Sequence, residues 1–298
     1  MQLQKATRVH TKIKMALQGP SGSGKTYSAL LIAYGLSGDW NKVCVIDTEN
    51  QSANLYADLG EYSVLSISAP YTPEKFIAAI SFCQQSEIQV VIIDSLSHEW
   101  EGSGGILDTH SRMAGNSFTN WAKLTPRHNA LVEAILQSPM HVIATLRTKQ
   151  DYVLTDKNGK QVPEKVGLRA IQRDGTDYEF TLVFDIDIRH NASASKDRTG
   201  LFINKPEQVL SASTGETIAN WCKEGIEAPI KTLKPDLLLE RINDCKSIEE
   251  LLDLYTEYPQ EKDGHLNDFT RKRQELQQTF KTPLTTPQKH SSNGRSNQ

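Results

Sequence analysis

The 298-residue sequence has few cysteines, a small net charge and no long apolar run. Its cysteines are Cys44, Cys83, Cys222 and Cys245. They form no C-x-x-C pair, so the sequence encodes neither a recognisable zinc site nor a disulfide framework, and a reducing compartment fits best. The formal net charge of −3 excludes a globally basic coat for nucleic acid, so any nucleic-acid site must be local.

The sequence also lacks segments that would place it in or across a membrane. No apolar run has the length that a bilayer-spanning helix needs. The first residues, "MQLQKATRVHTKIK", have no apolar centre of signal-peptide length. We therefore expect a cytoplasmic protein without a membrane partner.

Short apolar runs alternate with helical patterns in the first two thirds of the chain. The predicted strands are "KIKMALQ", "KVCVIDT", "YSVLSIS", "QVVIIDS" and "HVIATLR". These runs are nearly continuous, as expected of strands buried on both faces. Helices are predicted at Thr26–Leu36, Pro73–Gln85 and Arg127–Gln137. The alternation predicts an α/β fold with a mostly parallel twisted sheet flanked by helices.

Later strands are expected to be antiparallel. Asn158-Gly159 lies between two extended segments and predicts a hairpin. The segment "EFTLVFDIDIRH" alternates, and its apolar residues are predicted to share one face. Those residues are Phe180, Leu182, Phe184, Ile186 and Ile188. We expect "GLFIN" to pair with this strand.

Composition and periodicity predict three regions. Residues 1–228 form an α/β core, 229–281 a small helical region, and 282–298 a disordered tail rich in Ser, Thr and Pro. Within the helical region, Ser247 and Glu250 have the spacing of a capping box.

The segment "GPSGSGKT" matches the phosphate-binding pattern G-x-x-x-x-G-K-[ST]. Glycines allow successive N–H groups to surround phosphate oxygens, and the following helix adds its positive dipole end. Lys25 is predicted to reach the β/γ-phosphates of ATP. The predicted nucleotide-binding residues are Gly19, Pro20, Ser21, Gly22, Ser23, Gly24, Lys25 and Thr26.

Two carboxylates complete the predicted ATPase chemistry. Asp94 ends a buried strand, and together with the Thr26 hydroxyl it is predicted to hold Mg²⁺. Ser95 follows it, where some ATPase branches carry a catalytic glutamate. Glu49, just past a neighbouring strand, is therefore predicted to orient the attacking water. Glu99 is the second candidate for that role.

The combination "VIDTENQSANLYADLG", "VVIIDSLS", "HVIATLRTK" and "FDIDIRH" resembles the RecA-like recombinase core over residues 13–204. The segments "IQRDGTDYEF" and "KDRTG" resemble more narrowly the phage-type RecA-core ATPases of single-strand annealing and recombination. The resemblance implies a RecA-like P-loop core that hydrolyses ATP with Mg²⁺, and a catalytic role for Glu49. It implies Thr145 at the γ-phosphate sensor position, and a bacterial host cytoplasm if the chain is phage-encoded.

The resemblance also implies a partner, single-stranded DNA, held by the segments after the second-motif strand and the next strand. The first is Glu101–Ser117, which is rich in Gly and Ser and is expected to be a mobile loop. The second runs from Arg147 to Arg173, and phosphate neutralisation is a plausible use of its positive charge. The predicted DNA-binding residues are Arg147, Lys149, Lys157, Lys160, Lys165, Arg169 and Arg173.

The resemblance further implies self-assembly into a ring or a filament. Related ring-forming ATPases carry a Lys-x-Arg whose charges reach the γ-phosphate held by the adjacent subunit. Lys196 and Arg198, in a segment expected to be exposed, are predicted to act in this way. They would replace cations of bacterial recombinases that here align with Asp177 and Glu179.

Three other functions stay open at the level of sequence. A helicase, helicase loader or packaging motor would share the core and add ring assembly. A P-loop kinase would need an Arg-rich lid, for which "GLRAIQRDG" is the candidate. A nucleotide-gated assembly protein, similar to circadian-clock relatives of this core, is the third.

Overall fold

The computed structural model describes residues 5–157, 160–226, 235–258 and 265–279, and omits the side chains of 151–166, 235–237 and 278–279. The chain divides into two compact units, 1–227 and 228–298. The predicted tail, 282–298, lies outside the described residues. In the part of the chain that is described, none of the helices has both the length and the apolarity to span a bilayer.

One sheet organises the first unit. Its strands are β1 (Lys14–Gly19), β2 (Val43–Asp47), β3 (Ser63–Ser66), β4 (Val90–Asp94), β5 (His141–Lys157), β6 (Lys160–Ala170), β7 (Leu182–Ile186) and β8 (Ala192–Asp197). The order is β3-β2-β4-β5-β1-β7-β8, with β6 paired to β5 alone. Pairs among β1 to β5 and β1–β7 are parallel, whereas β5–β6 and β7–β8 are antiparallel. The predicted α/β fold class, a mostly parallel sheet with antiparallel later strands, is confirmed.

Helices cover both faces of this sheet. They are α1 (Lys25–Ser37), α2 (Pro73–Gln85), α3 (Ser97–Glu101), α4 (Ile106–Arg112), α5 (Ser117–Gln137) and α6 (Ala212–Cys222). Alternate residues of β1 enter two separate cores: Met15 and Leu17 pack with α1 and α6, and Ala16 packs with α2 and α5. Burial on both faces is why the strands read as continuous apolar runs.

Helix α5 begins ten residues before the predicted start at Arg127. Pro126, one residue before the predicted start, lies inside the helix. The start is instead defined by Asn116, whose side chain accepts a hydrogen bond from the Phe118 N–H at 2.8 Å. An asparagine cap of this kind satisfies an N–H group that the first turn leaves unpaired.

Two predictions about the later strands are wrong. The partner of β7 is Ala192–Asp197, and not "GLFIN". The Asp197 carboxylate accepts hydrogen bonds from the N–H groups of Phe202 and Ile203, which holds "GLFIN" in a turn. Of the apolar residues of "EFTLVFDIDIRH", Leu182, Phe184 and Ile186 share one face as predicted, but the two outer residues do not. Phe180 packs in the core opposite that of Leu182, and Ile188 is 63% exposed.

The segment Arg147–Arg173 is a long antiparallel ribbon at its described positions, with β5 paired to β6. Asn158-Gly159, the predicted hairpin turn, lies outside the described residues. The segment Glu101–Ser117, predicted as a loop, contains helix α4. In that helix the Asp108 carboxylate accepts the Gly104 N–H at 2.6 Å, which connects the glycine-rich stretch to the first turn of the helix.

The second unit contains α7 (Pro235–Asp244), α8 (Ile248–Glu257) and α9 (Leu266–Thr279), as its periodicity predicts. Leu238, Ile242, Leu251 and Phe269 are among its buried apolar residues. The Ser247 hydroxyl accepts the Glu250 N–H at 3.1 Å. In a capping box the Glu250 side chain would accept the N–H of Ser247 in return. Here it accepts the N–H of Lys246 instead, so the predicted capping box is only half formed.

Candidate functional site

The predicted phosphate loop connects β1 to α1. Gly22 and Gly24 have φ values of 80° and 85°, which side-chain-bearing residues rarely adopt. At Gly19 a Cβ atom would lie 2.4 Å from the carbonyl oxygen of Ile186. The glycines therefore leave a bare backbone concavity in front of the first turn of α1, a shape that suits an anion.

Lys25 folds back over this loop. Its ammonium group donates hydrogen bonds to the carbonyl oxygens of Gly19 at 3.0 Å and Pro20 at 2.8 Å. Burial lowers its pKa, while the carboxylates of Asp94 and Glu49 oppose that effect. The cation is thus held at the mouth of the loop by two neutral acceptors, which an anionic ligand can displace.

Asp94, at the end of β4, lies against two hydroxyl groups. Thr26 donates to one carboxylate oxygen at 2.7 Å, and Thr145 donates to the other at 2.5 Å. Burial raises the pKa of Asp94, while the two hydroxyl donors act in the opposite direction. The Thr145 hydroxyl thus contacts the Asp94 carboxylate, and its role as the γ-phosphate sensor stays a prediction.

These oxygens fit a magnesium ion. A hydroxyl and a buried carboxylate are hard oxygen ligands, and Mg²⁺ typically takes one or two such groups together with water and phosphate. Among the described residues no group of three or more His, Cys, Asp or Glu side chains could hold a metal by itself. Thr26 and Asp94 would therefore share the ion with a nucleotide.

The position of Glu49 is determined by Asp47, its neighbour two residues earlier. The Asp47 carboxylate accepts the Glu49 N–H at 2.7 Å and the Ala53 N–H at 2.9 Å, which shapes the turn after β2. Asp47 and Asp94 are register partners in the parallel pair β2–β4. The two strands therefore end together and bring Glu49 to the edge where the phosphate loop lies.

Arg147 forms a two-pronged ion pair with Glu49. Its Nε donates to one carboxylate oxygen at 2.8 Å, and its Nη2 donates to the other. Arg147 is one of the predicted DNA-contacting residues, but its guanidinium lies in the cleft that contains the phosphate loop. The two partners are 98 positions apart, and nothing local in the sequence indicates their pairing.

One cleft collects these groups. It has a volume of about 470 Å³, and its walls include Gly22, Lys25, Thr26, Glu49, Tyr56, Asp94 and Arg147. Tyr56 pairs with Tyr27 at a ring-centroid distance of 5.8 Å and offers aromatic surface at the wall. Glu99 lies elsewhere: it is fully buried, with Oε1 3.1 Å from Nδ1 of His128.

Two histidines near the site were not singled out from sequence. Nδ1 of His190 lies 3.0 Å from the Ser23 carbonyl oxygen, so the turn after β7 contacts the phosphate loop. Nδ1 of His98 lies 2.7 Å from the Thr48 hydroxyl, and burial lowers the pKa of its ring. Both are single histidines, and no spacing rule in the sequence connects a single histidine to a phosphate loop.

Lys196 and Arg198 lie away from the cleft walls. Lys196 belongs to β8, the last strand in the sheet order, and is half-buried there, although the segment around it is predicted to be exposed. Its ammonium donates to the carbonyl oxygens of Asp177 and Tyr178. Arg198 is exposed just beyond the strand. Both cations therefore occupy an edge of the sheet.

The other predicted DNA-contacting cations lie along the ribbon. Lys149, Arg169 and Arg173 line a second cavity of about 410 Å³. The side chains of Lys157, Lys160 and Lys165 lie outside the described residues.

The comparison with protein families matches residues 11–219 to AAA_24, described as an AAA domain. The chain belongs to this family. No curated protein matches it. The AAA_24 domain covers the sheet, the phosphate loop, Glu49, Asp94 and Arg147, so this chain is a nucleotide-binding protein of the P-loop ATPase type.

Proposed function

We propose that this chain is an Mg²⁺-dependent RecA-like ATPase that acts on single-stranded DNA in phage-type recombination, annealing or replication. The observation that carries the proposal is the cleft itself. Three separate segments bring Lys25 with Thr26, Asp94, and Glu49 to its walls. A cation, a hydroxyl and two carboxylates in one cleft match the chemistry of phosphoryl transfer to water.

In this proposal the loop from Gly19 to Thr26 binds the phosphates of ATP. Backbone N–H groups of the loop and the start of α1 donate to phosphate oxygens. Lys25 exchanges its two carbonyl acceptors for the terminal phosphates, a stronger charge-assisted contact. Thr26 and Asp94 hold Mg²⁺, which neutralises charge on the transferring group when it is bound.

Glu49 accepts the proton of the attacking water. Arg147 now occupies both oxygens of that carboxylate, so the base must be released before it can act. A γ-phosphate is the natural competitor for a guanidinium, because Arg binds phosphate and carboxylate with the same two-pronged geometry. Arg147 therefore pairs with Glu49 without ATP and turns to the γ-phosphate when ATP binds.

The RecA-like assignment rests on the placement of this base. Ser95 follows Asp94, and Glu49, which lines the cleft, comes from the turn after the neighbouring strand β2. The resemblance to the RecA-like core implies that Glu49, just after β2, is the base for hydrolysis. The alternative base, Glu99, is buried against His128 and so is poorly placed to reach a water in the cleft.

Self-assembly into a ring or filament completes the proposed site. Lys196 and Arg198 lie at the edge strand β8, from which they would reach the phosphate site of an adjacent subunit. Two cations delivered from a neighbour would stabilise charge on the transferring phosphoryl group only after assembly. Their present acceptors, including the carbonyl oxygen of Tyr178, are neutral and replaceable.

Contact with single-stranded DNA is proposed for the ribbon β5–β6 and for the segment Glu101–Ser117. Exposed cations on the ribbon can neutralise backbone phosphates. The cleft and the second cavity share Glu101 and Ile171 as wall residues, which gives bound DNA a physical route to the phosphate site.

The test is the steady-state ATPase rate of the full chain with Mg²⁺, measured without DNA and with oligodeoxythymidine. We expect hydrolysis that requires Mg²⁺ and that rises with single-stranded DNA. Hydrolysis that DNA does not change would favour a different partner. Transfer of phosphate to a small acceptor in place of water would favour the kinase alternative.

A further inference from the structure

The second cavity combines aromatic rings with cations. Trp100, on α3, and Trp121, on α5, both line it, with ring centroids 5.9 Å apart and planes inclined by 24°. Lys149, Arg169 and Arg173 line the same cavity. We infer that this cavity binds one unstacked base of single-stranded DNA between the two proposed DNA segments, with the adjacent phosphate on the cations. This inference rests on the DNA-binding part of the proposed function.

Each tryptophan ring packs against a histidine. His110 stacks on Trp121 at a centroid distance of 4.2 Å and an angle of 22°. Trp100 contacts His128 edge-on at 5.6 Å. Both tryptophans stay half-exposed, so part of each ring is open to a ligand. Ordered rings with open surface suit base stacking, because little conformational freedom is lost on binding.

The opposite wall is also ordered. Gln172 is buried, and its side-chain amide donates to the Leu96 carbonyl oxygen at 3.2 Å and to Glu99 at 3.3 Å. Glu99 in turn meets His128, the residue that supports Trp100. This buried polar chain links both walls of the cavity, so its shape is formed before any ligand arrives.

The cations at this cavity are arranged at a cost in stability. Lys149 and Arg169 are direct register partners in the antiparallel ribbon. Like charges in opposite positions of a strand pair destabilise the pair. Asp174 forms an exposed ion pair with Arg169 and so offsets part of this repulsion, while the Lys149 side chain is exposed. A phosphate next to a stacked base would offset the part that remains.

The cavity has the right size and additional aromatic surface nearby. A volume of about 410 Å³ lies within the range of small-ligand pockets, and a single base with its sugar fits that range. Phe118, one helical turn before Trp121, is 86% exposed. A large aromatic ring this open offers the next base a stacking surface.

The decisive comparison uses two strands of equal length, oligodeoxythymidine and a strand of abasic sites. Both carry the same phosphates, but only the first carries bases. Affinities are measured on the full chain with Mg²⁺ and a non-hydrolysable ATP analogue. We expect the wild type to prefer the base-containing strand by about tenfold, within the range for one base–aromatic stack, and its binding to quench tryptophan fluorescence.

Variants then assign the effect to the cavity. Trp121→Leu should lose about tenfold in affinity for oligodeoxythymidine and nothing for the abasic strand, while Trp121→Phe keeps an aromatic face and most of the affinity. Lys149→Glu should weaken both strands and lower the salt slope by about 0.7. Lys123→Glu is the matched control, since it reverses a charge two residues from Trp121 outside the cavity walls.

The outcomes separate this inference from the proposed function. Equal wild-type affinities for the two strands, or unchanged affinity in Trp121→Leu, would overturn the base site and leave DNA-dependent ATP hydrolysis standing. A wild type that hydrolyses ATP but binds neither strand would overturn both. If Trp121→Leu does not fold, the two-strand comparison on the wild type and on Trp121→Phe decides the matter.

Discussion

Replacing Glu49 with glutamine separates nucleotide binding from hydrolysis. The substitution keeps the shape of the side chain, but an amide cannot take a proton from water. A lost general base typically costs about a hundredfold or more in turnover. We therefore expect Glu49→Gln to bind ATP with Mg²⁺ and to hydrolyse it at least about a hundredfold more slowly.

The same substitution has a second and smaller effect, on folding. It removes the ion pair with Arg147, whose side chains are 23% exposed for Glu49 and 40% exposed for Arg147. A pair this open to solvent contributes about 1 kcal/mol or less. For a unit of this size that corresponds to a fall in Tm of about 2–4 °C. The variant should therefore be folded, and the catalytic loss should not reflect unfolding.

The assay combines ATP turnover, nucleotide affinity and thermal unfolding on the same preparation. Glu101→Gln is the matched control, because Glu101 also lines the cleft. It should keep turnover near the wild-type rate. Near-normal turnover in Glu49→Gln would refute the role of Glu49 as general base. A large loss of turnover in Glu101→Gln would assign that role to Glu101. Glu99→Gln should act on stability, through its buried contact with His128.

Three other variants test the remaining parts of the proposed ATPase chemistry, two in the cleft and one at the sheet edge. Lys25→Ala should abolish or greatly weaken ATP binding and leave the fold intact, because this side chain contacts only loop carbonyl groups; a nucleotide titration with unchanged affinity would contradict this. Asp94→Asn should raise Tm near neutral pH, since burial raises the pKa of Asp94 and the protein loses stability as the pH rises through that pKa; it should also abolish Mg²⁺ stimulation, and a lower Tm without nucleotide would count against this reasoning. Lys196→Ala/Arg198→Ala should be inactive alone and should regain turnover when mixed with Glu49→Gln subunits, whereas full activity of the double variant alone would exclude the transfer of cations between subunits.

Local pattern was sufficient for the central elements. Strands β2 and β4 are buried at every position, so they appear in the sequence as unbroken apolar runs. Helix α2 has the predicted bounds, Pro73–Gln85, because proline in the first turn and an apolar period mark both ends. Where the predictions failed, short-range contacts decided the structure: Asn116 caps α5 through the Phe118 N–H, and Asp197 holds "GLFIN" in a turn.

By itself the sequence determined the phosphate loop, the buried strands and the α/β class, because glycine spacing and apolar periodicity are properties of neighbouring residues. Only the tertiary structure decided that Arg147 holds Glu49, and that Trp100 and Trp121 meet Lys149 and Arg169 around one cavity. Those contacts join residues that are distant in the chain. They arise from the order and register of the strands, which depend on how the whole sheet packs and have no local mark in the sequence.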